Sequence, residues 1–502
     1  MTENLQKEII TAILTDELDR ARALVDRDPE RYSLLAKLLK QVRGKSCPLS
    51  ALTADHPDMV VVFPSYTCGV GCPMCSAGFA DRTQLFDDYL HLQPEQFNDF
   101  APWIETASSV IFVGEGETLE SPHTIDFLNQ VKEKETILYT SGVPLNKKKI
   151  RSLIESRLDY LTFSFDGKTS LGHGDGKEKY ARKFWSKVRA VQQMKEELES
   201  ELPVVTLAVT VNLENIDSLD ELIEEAVQHG IHDIMLVPMI VYHESFFQKS
   251  IFADYASCKS EINAVMAHWN RNGMYVHYMG FHDSILDSAP TCPYVDNWMA
   301  INGKGRTMAC DGPVKIPEAV HNLPKEQLWN SFPLRYLRHL HLGSKPDDLP
   351  EACRTCWIVN LKEHSREYFR TGNNDCPEPI LIYQAASRMK TEGRFREAEE
   401  LFQRVIGSGA GAELDGQAWF HLGEMRLSQN DHNEALASFK QSVQYFFDHQ
   451  MAFVYLYLLL MLEDAPYARR KEKFDVLSLM QRKREAAAAA QSSYCKNPLV
   501  CD

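Results

Sequence analysis

Tyr66-Thr67-Cys68-Gly69-Val70-Gly71-Cys72-Pro73-Met74-Cys75 follows directly on the apolar run Met59-Val60-Val61-Val62-Phe63. The cysteine spacing is C-x3-C-x2-C. A short run of this kind predicts a buried β-strand. It feeds a compact loop of three thiols, an arrangement suited to a metal cluster. An ordinary [4Fe–4S] cluster takes four thiolates. Three close together leave one iron open, much as a catalytic metal site keeps an open position. The bland alternative is a zinc knuckle, although zinc sites more often show paired C-x2-C units or mixed Cys and His sets.

Outward from this loop the chain alternates strand and helix patterns. Strands are predicted at Met59–Phe63, Ser109–Val113, Thr136–Tyr139, Tyr160–Phe165, Val204–Val211 and Ile234–Val237. Helical spacing falls between them at Thr124–Lys132, Lys147–Ser156, Lys179–Glu197 and Ser218–His229. Six β/α units imply a parallel sheet with right-handed crossovers. In barrels of such units, functional groups gather at the carboxyl ends of the strands.

The three-cysteine loop resembles the signature of the radical S-adenosylmethionine (SAM) superfamily. That family uses a partial (β/α)6 barrel, which fits the strand count. In it, the open iron chelates the amino and carboxylate groups of SAM, and one electron cleaves SAM to methionine and a 5′-deoxyadenosyl radical. The radical chemistry belongs to the cofactors, and the protein aims it.

Further motifs follow the later strands. Val113-Gly114-Glu115-Gly116-Glu117-Thr118 is similar to the family's Gly-x-Gly-Glu-Pro motif, with Thr118 in place of the proline. The resemblance implies that Gly114, Gly116 and Glu117 hold the SAM amino group. Glycines let backbone approach a ligand closely, and a carboxylate accepts charge-assisted hydrogen bonds from an ammonium. Thr140-Ser141-Gly142 resembles the family's Thr-Asn-Gly turn, which brings Ser141 into the expected cofactor set. Ser164-Phe165-Asp166-Gly167 resembles its Ser-x-Asp-Gly, implying Ser164 and Asp166 near the SAM ribose and carboxylate. A plain β-to-α turn favours the same residues. Asn212 is a further candidate SAM contact, with turn capping an equally good explanation. Val237-Pro238-Met239 offers apolar and backbone contacts to adenine, or a core and turn role.

A second constellation lies downstream. Cys292 and Cys310 flank Gly303 and Gly305, and Cys353 and Cys356 form a C-x2-C pair. This resembles the start of a SPASM or Twitch domain, in which a hairpin and helix place thiolates around an auxiliary [4Fe–4S] cluster. The resemblance implies one auxiliary cluster held by Cys292, Cys310, Cys353 and Cys356, with Cys376 a spare thiol or alternative ligand. A four-cysteine zinc site is the alternative. Cys47, Cys258, Cys495 and Cys501 have no ligand-like spacing, and a lone Cys usually behaves as a small buried hydrophobe.

A third region carries a repeat. Phe395-Arg396-Glu397-Ala398-Glu399-Glu400-Leu401-Phe402 recurs as His432-Asn433-Glu434-Ala435-Leu436-Ala437-Ser438-Phe439, an offset of 37 residues (435 − 398). With Trp419-x2-Leu422-Gly423 it resembles tetratricopeptide (TPR) repeats, which usually bind peptides or proteins. A helical lid or dimerisation element is the alternative. Met451–Leu462 and Lys473–Lys483 are candidates for a degenerate third unit. The expected organisation is a helical segment over 1–54, a radical SAM core over 55–285, a Twitch/SPASM-like domain over 286–378, TPR-like helices over 379–465 and a helix and tail over 466–502.

Bulk properties agree with a multidomain enzyme. The chain has 502 residues, 44% of them hydrophobic, which supports sizeable cores. A net charge of −16 argues against broad nucleic-acid binding. The longest apolar run, Met451–Leu462, is shorter than the roughly 18 residues of a spanning helix. The 12 cysteines and an N-terminus without a signal-like apolar region point to metal binding in a reducing cytoplasm. The expected activity is hydrogen abstraction from a peptide or protein under maturation, with electrons from a low-potential donor such as flavodoxin or ferredoxin. Radical dehydrogenation or rearrangement of a small molecule is the runner-up. An iron–sulfur carrier or scaffold is the non-enzymatic alternative, against which the Gly-x-Gly-Glu motif counts. Tyr242, His243, Glu244, His277 and His282 are polar candidates for substrate contact. Gly172–Gly176 reads either as a mobile lid or as a surface turn.

Overall fold

The computed structural model describes residues 2–42, 49, 56–72, 74–75, 90–114, 116–168, 177–241, 244–279, 292, 294–310, 314, 316–343, 348–354 and 378–462. The chain forms two compact units. One is His56–Ile285 with Asn297–Met308; the other is Met1–Asp55 with Leu286–Asp296 and Ala309–Asp502.

The first unit is built on one sheet. Its strands are β1 (Met59–Val62), β2 (Ser109–Phe112), β3 (Glu135–Thr140), β4 (Tyr160–Ser164), β5 (Val204–Val211), β6 (Asp233–Pro238), β7 (Tyr275–Tyr278), β8 (Trp298–Ile301) and β9 (Thr307–Met308). They lie in the order β7-β6-β5-β4-β3-β2-β1-β8-β9. Every pairing is parallel except β8 with β9. Each strand from β1 to β7 lies beside its predecessor, and helices such as Thr124–Gln130, Lys147–Glu155, Lys177–Glu197 and Leu219–Gln228 carry the crossovers. Those helices bury one face: Ile150, Leu153 and Ile154 in one, Leu219, Leu222, Ile223 and Ala226 in another. That cover explains why β1 reads as an uninterrupted Met-Val-Val-Val rather than as alternation.

The six expected strands are all present, and the sheet holds three more. β7 continues it beyond β6, so His277, a candidate for substrate contact, belongs to a strand. β8 pairs with β1 in register Met59↔Trp298 to Val62↔Ile301. The hairpin expected to open the auxiliary-cluster domain therefore extends the barrel sheet. All four β8 residues are buried, which requires cover on both faces. Its turn explains two glycines. Gly305 has φ +69°, and a methyl group at Gly303 would lie 2.7 Å from the Tyr66 ring at the root of the cysteine loop.

The second unit is helical. Glu378–Thr391 pairs with Phe395–Val405, and Ala412–Ser428 with His432–Tyr445. Ala398 and Ala435, like Phe402 and Phe439, are fully buried, so the sequence repeat is a repeat of packing positions. Small residues let the helices approach: a methyl group at Gly423 would lie 2.7 Å from the Phe439 ring. The apolar run at the end forms the helix Gln450–Leu462, buried from Ala452 to Met461. It packs on the N-terminal helices Thr2–Leu14 and Ser33–Gln41, and its Tyr457 ring meets Phe332 edge-on at 4.5 Å. Among the described residues no helix is long and apolar enough to cross a membrane. Lys473–Lys483, Gly172–Gly176, Tyr242, His243, His282, Cys47, Cys356, Cys376, Cys495 and Cys501 lie outside the described residues.

Candidate active site

The carboxyl ends of β1 to β6 surround a cavity of about 330 Å³. The loop after β1 contributes Cys68, Cys72, Met74 and Cys75; that after β2 contributes Gly114, Gly116, Glu117 and Thr118. Tyr139, Thr140 and Ser141 come from β3, and Ser164, Phe165, Asp166 and Gly167 from β4. Thr210 of β5 and Val237, Pro238, Met239 and Ile240 of β6 complete the wall, with Tyr180 from the helix after β4. Among the described residues the lining holds no Lys, Arg or His. Its charge comes from carboxylates, which favours a cationic guest.

The cysteine loop is held from its flanks. Thr67 N donates to Ser65 Oγ at 3.0 Å, and Cys75 N donates to Cys72 O at 3.1 Å. Gly71, at φ +69°, makes the turn between the first two thiols. The loop after β2 lies against it: Glu117 N donates to Thr67 O at 2.7 Å. A methyl group at Gly116 would stand 2.5 Å from Ser65 O and 2.6 Å from Thr67 O, so only glycine fits this contact.

Burial pushes the Cys68 thiol up, with Glu117 and Glu120 adding to the effect against backbone hydrogen bonds from Val70 and Gly71. Cys72 is pushed up to about 12, first by burial and then by Asp166, Cys75 and Cys68. Thiols in this setting ionise when a metal group supplies positive charge. Among the described residues no three Cys, His, Asp or Glu groups converge as a single-ion site requires. The three thiols instead share one cavity wall.

Glu117 is buried and accepts four hydrogen bonds. Oε1 receives Thr140 Oγ1 at 2.6 Å and Leu119 N at 3.2 Å; Oε2 receives Ser141 N at 2.8 Å and Ser141 Oγ at 2.5 Å. Two oxygens offer about four lone-pair positions, and this chain's own donors fill them. Glu117 is thus a strut joining the end of β2 to the end of β3, and Ser141 is its partner. Asp166 Oδ1 accepts from Thr210 N at 2.7 Å, which ties β4 to β5. Ser164 faces the cavity. Asn212 does not line it: fully buried, it caps the turn after β5, its Oδ1 accepting from Glu214 N at 2.9 Å.

Two cavity tyrosines lie outside the sequence motifs. Tyr139 is the inward residue of β3, and burial followed by the Asp233 charge pushes its phenol up to about 12. Tyr180 projects from the helix Lys177–Glu197, and burial, with Cys72 and Asp166 next, pushes its phenol upward. Strand alternation could have flagged Tyr139; Tyr180 gives no local signal. His277 is outside the cavity lining, with Nδ1 3.9 Å from Asp233 Oδ1, and burial pushes it down to about 4. Glu244 opens the helical turn Glu244–Lys249.

Of the second cysteine set, Cys292 and Cys353 are buried and Cys310 half-buried, all in the helical unit. Cys258, with no ligand-like spacing, is buried on the helix Tyr255–Arg271.

No family model matches the chain. The PqqA peptide cyclase of Gluconobacter oxydans (strain 621H) is 23% identical over 326 residues, covering 61% of this chain and 84% of that protein. Streptococcus suis SuiB bound to precursor peptide SuiA is similar at a TM-score of 0.44 and 15% identity, over 60% of this chain and 70% of that one. Native anSMEcpe with bound AdoMet is similar at a TM-score of 0.44 and 14% identity, over 62% and 91%. With its C-x3-C-x2-C loop at the head of an open parallel β/α sheet, and a sequence relative matched over most of its own length, the chain is similar to radical SAM enzymes.

Proposed function

We propose that the chain cleaves SAM reductively and uses the resulting radical to modify a peptide. The observation that carries this is the convergence of three thiols, the Gly-x-Gly-Glu loop and the Ser164–Asp166 turn on one cavity. Cys68, Cys72 and Cys75 would hold three irons of a [4Fe–4S] cluster. When bound, that cluster and SAM supply one-electron cleavage to a 5′-deoxyadenosyl radical, which removes hydrogen from an unactivated carbon. The chain's own residues do the rest. Gly116 lets the second loop close on the thiol loop, and Glu117 fixes the backbone that faces the cofactor. Asp166 and Ser164 present acceptors to its polar parts, and Val237, Pro238 and Met239 give an apolar wall for adenine. The lack of Lys, Arg and His among the described lining residues suits the sulfonium and ammonium charges.

The peptide substrate is supported by the sequence relative, a cyclase of a peptide. The helical repeats would offer a polypeptide-docking surface. Cys292, Cys310, Cys353 and Cys356 would hold one auxiliary [4Fe–4S] cluster, able to take an electron from the substrate radical or to anchor the substrate. A low-potential carrier such as flavodoxin or ferredoxin would supply the electron.

The test is incubation of anaerobically reconstituted, reduced protein with SAM and short peptides encoded beside its gene, followed by mass spectrometry. The expected result is a peptide that loses hydrogen mass while 5′-deoxyadenosine accumulates, and neither change with Cys68, Cys72 and Cys75 replaced by Ala. SAM cleavage stimulated by a small alcohol, with every peptide unchanged, would move the reading to small-molecule dehydrogenation.

A further inference from the structure

Glu120 ends the helical turn Thr118–Glu120, next to the thiol loop but outside the cavity lining. The turn is braced from several sides. Thr118 O accepts from Thr124 Oγ1 at 2.7 Å, and Leu119 O accepts from Lys149 Nζ at 2.6 Å. Leu119 N donates to Glu117 Oε1 at 3.2 Å, and Glu120 N donates to Glu117 O at 2.9 Å. The Glu120 side chain therefore departs from a fixed point. It reaches across to the first loop, where Gly69 N donates to Glu120 Oε1 at 2.7 Å. A methyl group at Gly69 would lie 3.3 Å from that oxygen, so the contact is close. Among the described residues no Lys or Arg forms an ion pair with the carboxylate.

We propose that Glu120 is a positioning residue for the metal-binding loop. Its carboxylate clasps the amide that follows Cys68, and its fixed charge makes the group held there harder to reduce. The clasp acts through geometry: with Gly69 N fixed, the Cys68 thiol keeps its direction without the metal. The charge acts through Coulomb repulsion when an external one-electron donor, dithionite in the test, delivers one electron to the site. No bond forms or breaks in that step. The proposal rests on the reading that Cys68, Cys72 and Cys75 hold a cluster.

The experiment uses the full chain, reconstituted anaerobically with iron and sulfide, in four forms: wild type, Glu120→Ala, Glu120→Gln and Asp126→Asn. Asp126 is an exposed acid on the next helix and controls for loss of one charge. Release of iron to a chelator reads the clasp, and a potentiometric titration followed by electron paramagnetic resonance reads the charge. E120A should release iron roughly tenfold faster than wild type, the effect of losing one hydrogen bond. E120Q keeps an acceptor oxygen and should hold iron like wild type, with its midpoint potential shifted positive. D126N should match wild type in both. A wild type that takes up no iron overturns the cluster reading and this proposal with it. A loaded wild type beside an E120A that releases iron at the same rate overturns the clasp alone. An unshifted potential in E120Q overturns the role of the charge.

Discussion

Thr140, Ser141 and Leu119 all direct donors at the Glu117 carboxylate. Gln at this position would keep the size but turn an N–H group towards those donors. A buried donor left unsatisfied costs about 1–3 kcal/mol. Glu117→Gln should therefore lower the urea midpoint of unfolding, by a loss on the order of 2–4 kcal/mol. An unchanged midpoint would mean the four bonds are dispensable, and would return Glu117 to the direct ammonium contact that its motif suggests. The cavity's main parts were legible in the sequence because they sit where β/α units put functional groups. Cys68, Cys72, Cys75, Gly116, Ser164 and Asp166 each lie at or just beyond a strand's carboxyl end. The division of labour was not legible. A Glu in a Gly-rich loop reads the same whether its lone pairs face a ligand or a neighbouring strand. Asn212 serves turns and ligands with the same atoms, and the structure shows the turn. Tyr180 depended on where a long crossover helix lays its first turn.

His449 precedes the helix Gln450–Leu462 and shows how an element can depend on one protonation state. Its Nδ1 accepts from Ala452 N at 3.2 Å, and its Nε2 lies 3.0 Å from Gln417 Oε1. The first contact caps the helix and needs a neutral ring. Burial, with His421 adding to it, holds His449 down at about 4, against the partial opposition of Glu424 and a backbone hydrogen bond. The unfolded chain takes up a proton near the ordinary imidazole value of about 6.5, whereas the folded chain does so only near 4. Stability linked to this residue is therefore complete above about pH 6.5 and falls as the pH drops towards 4, by a loss on the order of 2–3 kcal/mol. Thermal melting followed by circular dichroism from pH 7 to 4 should show this decline, flattened in His449→Asn, which can still cap. Equal slopes in the two proteins would remove His449 as the cause. At this scale the six core strands and the buried final helix were legible from apolar runs. β7 and β8 were not. Tyr275–Tyr278 is four residues of mixed polarity, too short for a period to stand out. Trp298–Ile301 looks like one arm of a local hairpin, and its parallel partner β1 lies more than two hundred residues earlier.

At the scale of the whole chain, sequence order and packing diverge. The first helices and the last described helix share one unit, joined through contacts such as those of Gln450–Leu462 with Thr2–Leu14 and Ser33–Gln41. A boundary read along the sequence cannot reveal that, because composition marks the ends of segments and not their neighbours in space. The repeat region is for the same reason no detachable tail: removing it would uncover Phe332 and Tyr336, which face Phe453 and Tyr457. The functional centre is easier to isolate, since every described residue of the cavity wall belongs to the barrel unit. Its central claim is that three thiols and the facing loops make a site for reductive cleavage of SAM. The direct measurement is chromatography of SAM incubated anaerobically with the reconstituted protein and dithionite. The account expects 5′-deoxyadenosine from the wild type, and none above the no-protein control when Cys68, Cys72 and Cys75 are all Ala. A wild type with its iron and sulfide in place that yields no 5′-deoxyadenosine, or a triple variant that yields as much, would contradict it.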